Sequence, residues 1–551
     1  MLDRDSQSPF HALIRAVDQT AAAVRGRDGA GSAQLRLERP KHENQGDYST
    51  NAAMLLAPAL SQPPREIAER LGAALVDQLG DDLTRAEVAG PGFLNLVMSD
   101  AWHRKALASI LQAGEQFGRA GAQRPERILV EFVSANPTGP LAASSGGRGG
   151  AYGDALARIL EHHGHAVSTE YYFNDAGGQI RLLGESVSAR ARGEEVPEGG
   201  YQGEYVVELA KQIPGAADRD VDELAQAAVE VLLRSIKTSL ERFGVHFDRF
   251  FSERTLHEGD PSPLKRALGL LEESGHVYRS DGALWLRTTS FGDTKDRVVV
   301  RSNGNPTYLA ADIAYLQDKR DRGFERQLTI VGADHHAYVA TLRAAMAALG
   351  GDPETVEVPL IQWVHLVEGK ERVGMSKRRG DFVTLDELLD EIRVDATRFF
   401  MLQRSHDRTL ELDLELARKQ SNENPVYYVQ YAHARIASML GRLSEERIER
   451  ALAAVDDGQQ PALHASERRL IKKLADFPWE VSEAAERRGP HRIAAYALEL
   501  AQDFTAFYRD CKVVGATPEA LESFRIGLSV AAQRVIATSL GLLGVSAPSS
   551  M

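Results

Sequence analysis

Three short stretches of this 551-residue chain carry groups suited to a phosphate-bearing ligand. The first runs from Asn136-Pro137-Thr138-Gly139-Pro140 to Gly146-Gly147-Arg148-Gly149-Gly150, where glycines ahead of a helix leave backbone N–H groups free to meet an anion. The second is Gly332-Ala333-Asp334-His335-His336, and the third is Gly374-Met375-Ser376-Lys377 followed by Arg378-Arg379-Gly380. A lysine at the third place supplies an ammonium that can stabilise charge as a phosphoryl group departs. The neighbouring histidines His335 and His336 have no third ligand at metal spacing and the chain has a single cysteine, Cys511, so no protein-bound zinc is expected. Tyr308 and Asp312 stand four residues apart, which puts both on one face of a helix.

The elements that must hold these loops follow from hydrophobic patterning. Ile128-Leu129-Val130-Glu131-Phe132-Val133 is a short apolar run of the kind that forms a buried parallel strand. A helix is predicted from about residue 151 to 162 and a second strand over 168–173, completing a βαβ unit. Further strands at 328–331 and 358–363, separated by a helix at 339–349, extend the sheet, which is split by an insertion from about 187 to 300. A hairpin turning at Ser280-Asp281-Gly282 is expected inside it. Ligands of open parallel sheets sit at the carboxyl ends of the strands, near the switch in strand order, and the three loops fall there. Residues 1–118 read as a small α/β domain, 119–385 as the sheet-bearing domain, and 386–551, almost wholly of helical period, as a bundle.

A composition of 43% hydrophobic and 26% charged residues is that of a globular protein with several cores. No stretch is apolar enough for a membrane span, and the lone cysteine fits a reducing compartment, so the expected location is the cytoplasm. A net charge of −13 argues against non-specific coating of nucleic acid while leaving room for a specific RNA partner met by local basic groups such as Lys377-Arg378-Arg379.

Taken as one ordered set, Ser134-Ala135-Asn136-Pro137-Thr138-Gly139-Pro140-Leu141, the 332–336 loop and Met375-Ser376-Lys377 resemble a class I aminoacyl-tRNA synthetase. Further runs are similar to the arginyl branch of that family: Gly46-Asp47-Tyr48-Ser49-Thr50-Asn51, Tyr172-Phe173-Asn174-Asp175-Ala176-Gly177, Pro306-Thr307-Tyr308-Leu309-Ala310-Ala311-Asp312 and Asn424-Pro425-Val426-Tyr427-Tyr428-Val429-Gln430-Tyr431-Ala432-His433. The resemblance implies a class I Rossmann-type parallel sheet with an insertion, an N-terminal α/β domain that contacts tRNA and a C-terminal helical anticodon-binding domain. It implies a monomer that activates arginine with ATP and Mg2+ and transfers it to tRNA(Arg). Guanidinium is planar, permanently charged and rich in donors, so its site needs fixed acceptors. The resemblance assigns that task to Glu131, Asn136, Tyr308 and Asp312, ATP binding to Gly139, Gly146, Gly147, Gly332, Asp334, His335 and His336, and the catalytic loop to Met375, Ser376 and Lys377. Tyr427, Tyr431 and Arg435 are the expected tRNA contacts, by stacking and phosphate pairing.

One block departs from the pattern. Where the family carries His-x-Gly-His, this chain reads Ala142-Ala143-Ser144-Ser145, and the count to Tyr152-Gly153-Asp154 makes the loop one residue longer. Removing a donor of this kind costs about 2–4 kcal/mol in the transition state. Three readings stay open: a tRNA-binding or regulatory relative without synthetase activity, a variant in which the helix amides, Ser144, Ser145 and Arg148 take over, or a local error in the sequence.

Overall fold

The structure, a computed structural model, describes residues 9–26, 37–38, 40, 45–369, 371–372, 383–455 and 461–551. The apolar run at 128–133 forms strand β1 (Arg127–Glu131), buried at every position after the first. Helix α1 (Gly150–His163) packs over it and returns the chain to β2 (Ala166–Phe173). At Gly153 an added Cβ would fall 2.1 Å from the Phe132 ring, so only glycine lets α1 come this near the end of β1. The sheet continues with β3 (Arg249–Ser252), and then, after helix α2 (Tyr308–Asp321), with β4 (Arg326–Thr329), helix α3 (Tyr338–Ala348) and β5 (Val356–Glu357). All five strands are parallel, in the order β5-β4-β1-β2-β3.

Strand β3 lies inside the stretch expected as an insertion, yet it completes the sheet. Phe250 pairs with Tyr171 and Phe251 with Tyr172 across the strands, with ring centroids 5.1 and 5.8 Å apart, so β3 covers the aromatic edge of β2. A second difference is the strand Leu410–Asp413, parallel to Val364–Glu368, in a region that reads as almost wholly helical. Its alternation, Leu410 and Leu412 buried with Glu411 exposed, is too short to stand out between helices.

Ahead of the sheet lies a four-stranded antiparallel sheet, Leu37–Glu38, Tyr48–Thr50, Phe93–Met98 and Leu83–Ala89 in spatial order, with helices Pro9–Arg25, Ala52–Leu60, Pro64–Leu79 and Asp100–Ala113. Behind it the chain forms a bundle that includes α4 (Pro425–Leu440), His491–Asp510 and Glu519–Leu542. A continuous apolar core joins the three parts, with Phe10 and Tyr48, Leu156 and Leu160, and Phe477 and Tyr496 among its members. No described helix is long and apolar enough to cross a membrane.

Candidate active site

The chain runs from β1 outward to β2 and β3, then returns to place β4 on the other side of β1. The carboxyl ends of β1 and β4 therefore diverge at the switch point, the position at which an open parallel sheet leaves a crevice. A cavity of about 550 Å³ opens there, lined by Glu131 and Ser134 after β1, Tyr172 from β2, Asp312 from α2, residues 329–335 after β4, and Ser144, Ser145 and Gly149.

One end of the cavity is acidic and tightly bonded. Glu131 is buried; its Oε2 accepts from Lys319 Nζ at 2.7 Å and Thr329 Oγ1 at 3.1 Å, and its Oε1 from Ser134 Oγ at 3.2 Å. Asp312 accepts from the Tyr338 hydroxyl. Burial, followed by the nearby Glu131 and Glu253 charges, pushes the Asp312 carboxyl up to about 7, against the lowering effects of Tyr338 and Lys319. Two carboxylates at the base of one pocket suit a cation, and a bound guanidinium would restore the Asp312 charge. The backbone between them is strained: Val133 and Ser134 both have positive φ, 65° and 41°, and a β-branched residue adopts this conformation rarely. Ser134 Oγ also accepts from the Tyr172 backbone N–H at 3.1 Å, which fixes the bend against β2.

The other end is exposed and nearly neutral. Residues Ala143–Gly149 form a wide π-helical turn leading into α1, with the Gly150 N–H directed at the carbonyls of Gly146 and Gly147. Such a turn takes one residue more than an α-helical turn. Its start is clamped to the segment leaving residues 373–382: Ala143 N–H donates to Val383 O and Leu385 N–H to Leu141 O, both at 2.8 Å. Ser144 and Ser145 line the cavity. Arg148 does not join them. It is fully buried, donating to the carbonyls of Gln362 (2.7 Å), Ser405 (2.9 Å) and Arg408 (2.8 Å), and burial lowers it to about 10. Its charge is spent tying the turn to the end of the sheet. Across the cavity, Gly332 leaves room for Asp334, since an added Cβ would lie 2.5 Å from Asp334 Oδ1. Asp334, His335 and His336 are exposed, with His335 Nε2 3.6 Å from Asp334 Oδ2.

Of the other residues singled out from the sequence, Asn136 bridges two loops outside the cavity lining, accepting from Asn174 N–H (3.2 Å) and donating to Gln179 (3.1 Å). Tyr308, 68% exposed, stands one turn before Asp312 on α2 and outside the lining. Gly139 faces Tyr205, Gly146 faces Leu141 and Gly147 faces Met401. Met375, Ser376 and Lys377 lie outside the described residues. Lys319 and Tyr338 were missed. A signal for Lys319 was present: with Tyr308, Asp312 and Tyr315 it forms a stripe at helical spacing along α2.

On α4, Tyr427 and Tyr431 are half-buried and parallel, 6.1 Å apart at 8°. Arg435 continues the ladder: it donates to the Tyr431 hydroxyl at 2.9 Å and lies 4.7 Å over that ring and 5.4 Å over Tyr508. Helix α4 is bonded to the helix Val394–Leu402, which in turn is bonded to α1. Gln430 Nε2 donates to Asp395 Oδ2 at 2.8 Å, and three residues on, fully buried Arg398 donates to Leu543 O (2.8 Å), Phe243 O (3.2 Å) and Asp154 of α1.

A switch-point cavity with a signature turn before α1, and a helical bundle bonded to that helix, define a class I aminoacyl-tRNA synthetase. Residues 11–98 match the arginyl-tRNA synthetase N-terminal domain, 203–422 the class I (R) tRNA synthetase catalytic domain and 429–551 the DALR anticodon binding domain. The chain is similar to the arginine–tRNA ligases of Carboxydothermus hydrogenoformans, 44% identical over 95% of both chains, and Frankia alni, 45% identical over 94% of this chain and 95% of that one. The solved Thermus thermophilus arginyl-tRNA synthetase superposes with a TM-score of 0.75 at 26% identity, covering 98% of this chain and all of that one. The chain belongs to the arginyl-tRNA synthetase family. Residues 99–202, including 142–145, lie outside the three family matches.

Proposed function

We propose that the acidic end of the cavity is the arginine site of a working arginine–tRNA ligase. The enzyme activates arginine with ATP and transfers it to tRNA(Arg) in protein synthesis. The observation that carries the site assignment is the pair of carboxylates, Glu131 and Asp312, at the base of the switch-point cavity. Asp312 and Glu131 Oε1, which also accepts from Ser134, take the guanidinium donors, while Lys319 and Thr329 hold Glu131 Oε2. Tyr308 is assigned to the guanidinium and Asn136 to the amino-acid end of the arginine, both from outside the cavity lining.

The triphosphate lies toward Ser144, Ser145 and the 332–335 turn, where the hydroxyls and the amides of the glycine-rich turn replace the absent imidazoles as donors. Mg2+ arrives with ATP, held by the phosphate oxygens. Lys377 supplies the ammonium beside the departing pyrophosphate. In the first step an arginine carboxylate oxygen attacks the α-phosphorus and pyrophosphate leaves. In the second, the terminal adenosine of tRNA attacks the carbonyl and AMP leaves.

Residues 1–118, 119–385 and 386–551 divide the labour as tRNA-contacting, catalytic and anticodon-binding parts, with the Tyr427, Tyr431 and Arg435 ladder taking unpaired bases. We place the enzyme in the cytoplasm. The test is charging of tRNA with arginine in competition with citrulline, which has the same shape without the charge. Arginine alone should be incorporated; equal incorporation of citrulline would remove the carboxylate pair from the recognition site.

A further inference from the structure

Trp363 lines the same cavity with 61% of its surface exposed, an unusual state for an indole. Its backbone is pinned. The Trp363 carbonyl accepts from Leu410 N–H at 3.0 Å and, more weakly, from Arg148 Nη1 at 3.4 Å. Beside it, the Gln362 carbonyl accepts from Arg148 Nη1 at 2.7 Å and Gln362 N–H donates to His406 O at 2.9 Å. The buried guanidinium of the turn thus holds the backbone from which the indole projects. The other six-membered aromatic rings lining the cavity, Tyr172 and Tyr338, have their hydroxyls committed to Glu253 and Asp312 on the acidic side. Around it the lining offers the hydroxyls of Ser144 and Ser145, glycines, Asp334, His335, Ile361 and Gln362.

We infer that Trp363 is a stacking platform for an adenine ring, brought to the cavity by ATP or by the terminal adenosine of tRNA. The inference rests on the ligase reading above. A flat, polarizable face held on a fixed backbone suits a purine, because every base has a π-face and stacking needs no particular hydrogen-bond pattern. Covering the indole also removes apolar surface from water. The position beside the signature turn puts such a base within the same crevice as the phosphate donors.

Intrinsic fluorescence reads this directly, with Trp102, Trp285 and Trp479 as the other indoles. The full-length protein is titrated with ATP, inorganic triphosphate, intact tRNA and tRNA lacking its terminal adenosine. Quenching by ATP but not by triphosphate identifies the nucleotide as the source of the ring; quenching by intact but not truncated tRNA identifies the terminal adenosine. Either quench should vanish in Trp363→Phe, which removes the reporting indole. Trp363→Ala should raise the KM of the identified substrate on the order of tenfold with little change in kcat. The platform is overturned if no purine-dependent quench is lost in Trp363→Phe, or if Trp363→Ala leaves both KM values unchanged. Fluorescence needs no turnover, so a wild-type protein that fails to charge tRNA sinks the ligase reading and leaves the titration to decide the platform.

Discussion

At one end of the cavity Glu131 and Asp312 are held by Lys319, Thr329, Ser134 and Tyr338, whereas at the other Ser144 and Ser145 extend short neutral hydroxyls from a turn rich in glycine. The acidic end is assembled before any ligand arrives, from groups brought together by a strand, a helix and the loop between them. In the proposed reading the phosphate end offers hydroxyls and turn amides, while Arg148 of the same turn is buried against the carbonyls of Gln362, Ser405 and Arg408. Selectivity for the amino acid and stabilisation of phosphate charge are thus separable in this chain. A change at the acidic end should alter which substrate binds; a change at the turn should alter how fast it reacts.

The largest expected effect sharpens that contrast. Asp312→Asn removes a buried acceptor charge opposite the guanidinium, a loss of about 2–5 kcal/mol, or roughly 30- to 4,000-fold in kcat/KM for arginine, with KM for ATP little changed. The same variant should stabilise the unliganded protein. The Asp312 pKa is raised on folding, from 3.8 to about 7, so the folded state binds more protons and this group's contribution is lost as pH rises from about 4 to 7. Thermal melts at pH 8 should therefore favour Asp312→Asn, and at pH 4 the two proteins should differ least. In the wild type, arginine affinity measured by calorimetry should fall as pH drops below about 7, because protonation removes the acceptor charge. A flat profile between pH 6 and 8 would break the assignment.

Next in size is Lys319→Met. It leaves Glu131 buried without its cation, an error worth about 3–5 kcal/mol in stability, and it lets the carboxylate protonate or turn. KM for arginine should rise roughly tenfold or more while the KM for tRNA stays put, and Lys319→Arg should recover part of the loss. The smallest effect is expected far from the cavity. Tyr431→Ala opens the α4 ladder and should raise KM for tRNA about tenfold by loss of base stacking, with arginine binding unchanged.

Much of this layout was legible in the residues. The strand at 128–133, the helix after it and the glycine turn announce themselves through local runs of apolar residues and glycines, which need no partner to be recognised. Strand β3 and the Leu410–Asp413 strand do not, because four residues become a strand only when a sheet edge is there to receive them. Among site residues, Glu131 and Asp312 followed from the chemistry of guanidinium and from the resemblance. The Lys319 partner required the geometry between α2 and β1, since nothing local to residue 319 says which carboxylate it meets. In one of the three open readings Arg148 is a replacement donor by its place in the glycine turn; burial against the carbonyls of Ser405 and Arg408 directs it elsewhere.

The central claim is that this chain charges tRNA with arginine although Ala142, Ala143, Ser144 and Ser145 occupy the place of the His-x-Gly-His signature. It is tested by aminoacylation with the wild-type protein beside a version in which residues 142–146 are replaced by that four-residue signature. Both should charge, with the same KM for arginine and a kcat higher by about 10²-fold or more in the replacement, since each restored donor contributes about 2–4 kcal/mol to the transition state. Charging by the replacement alone, with none above background in the wild type, would contradict the account.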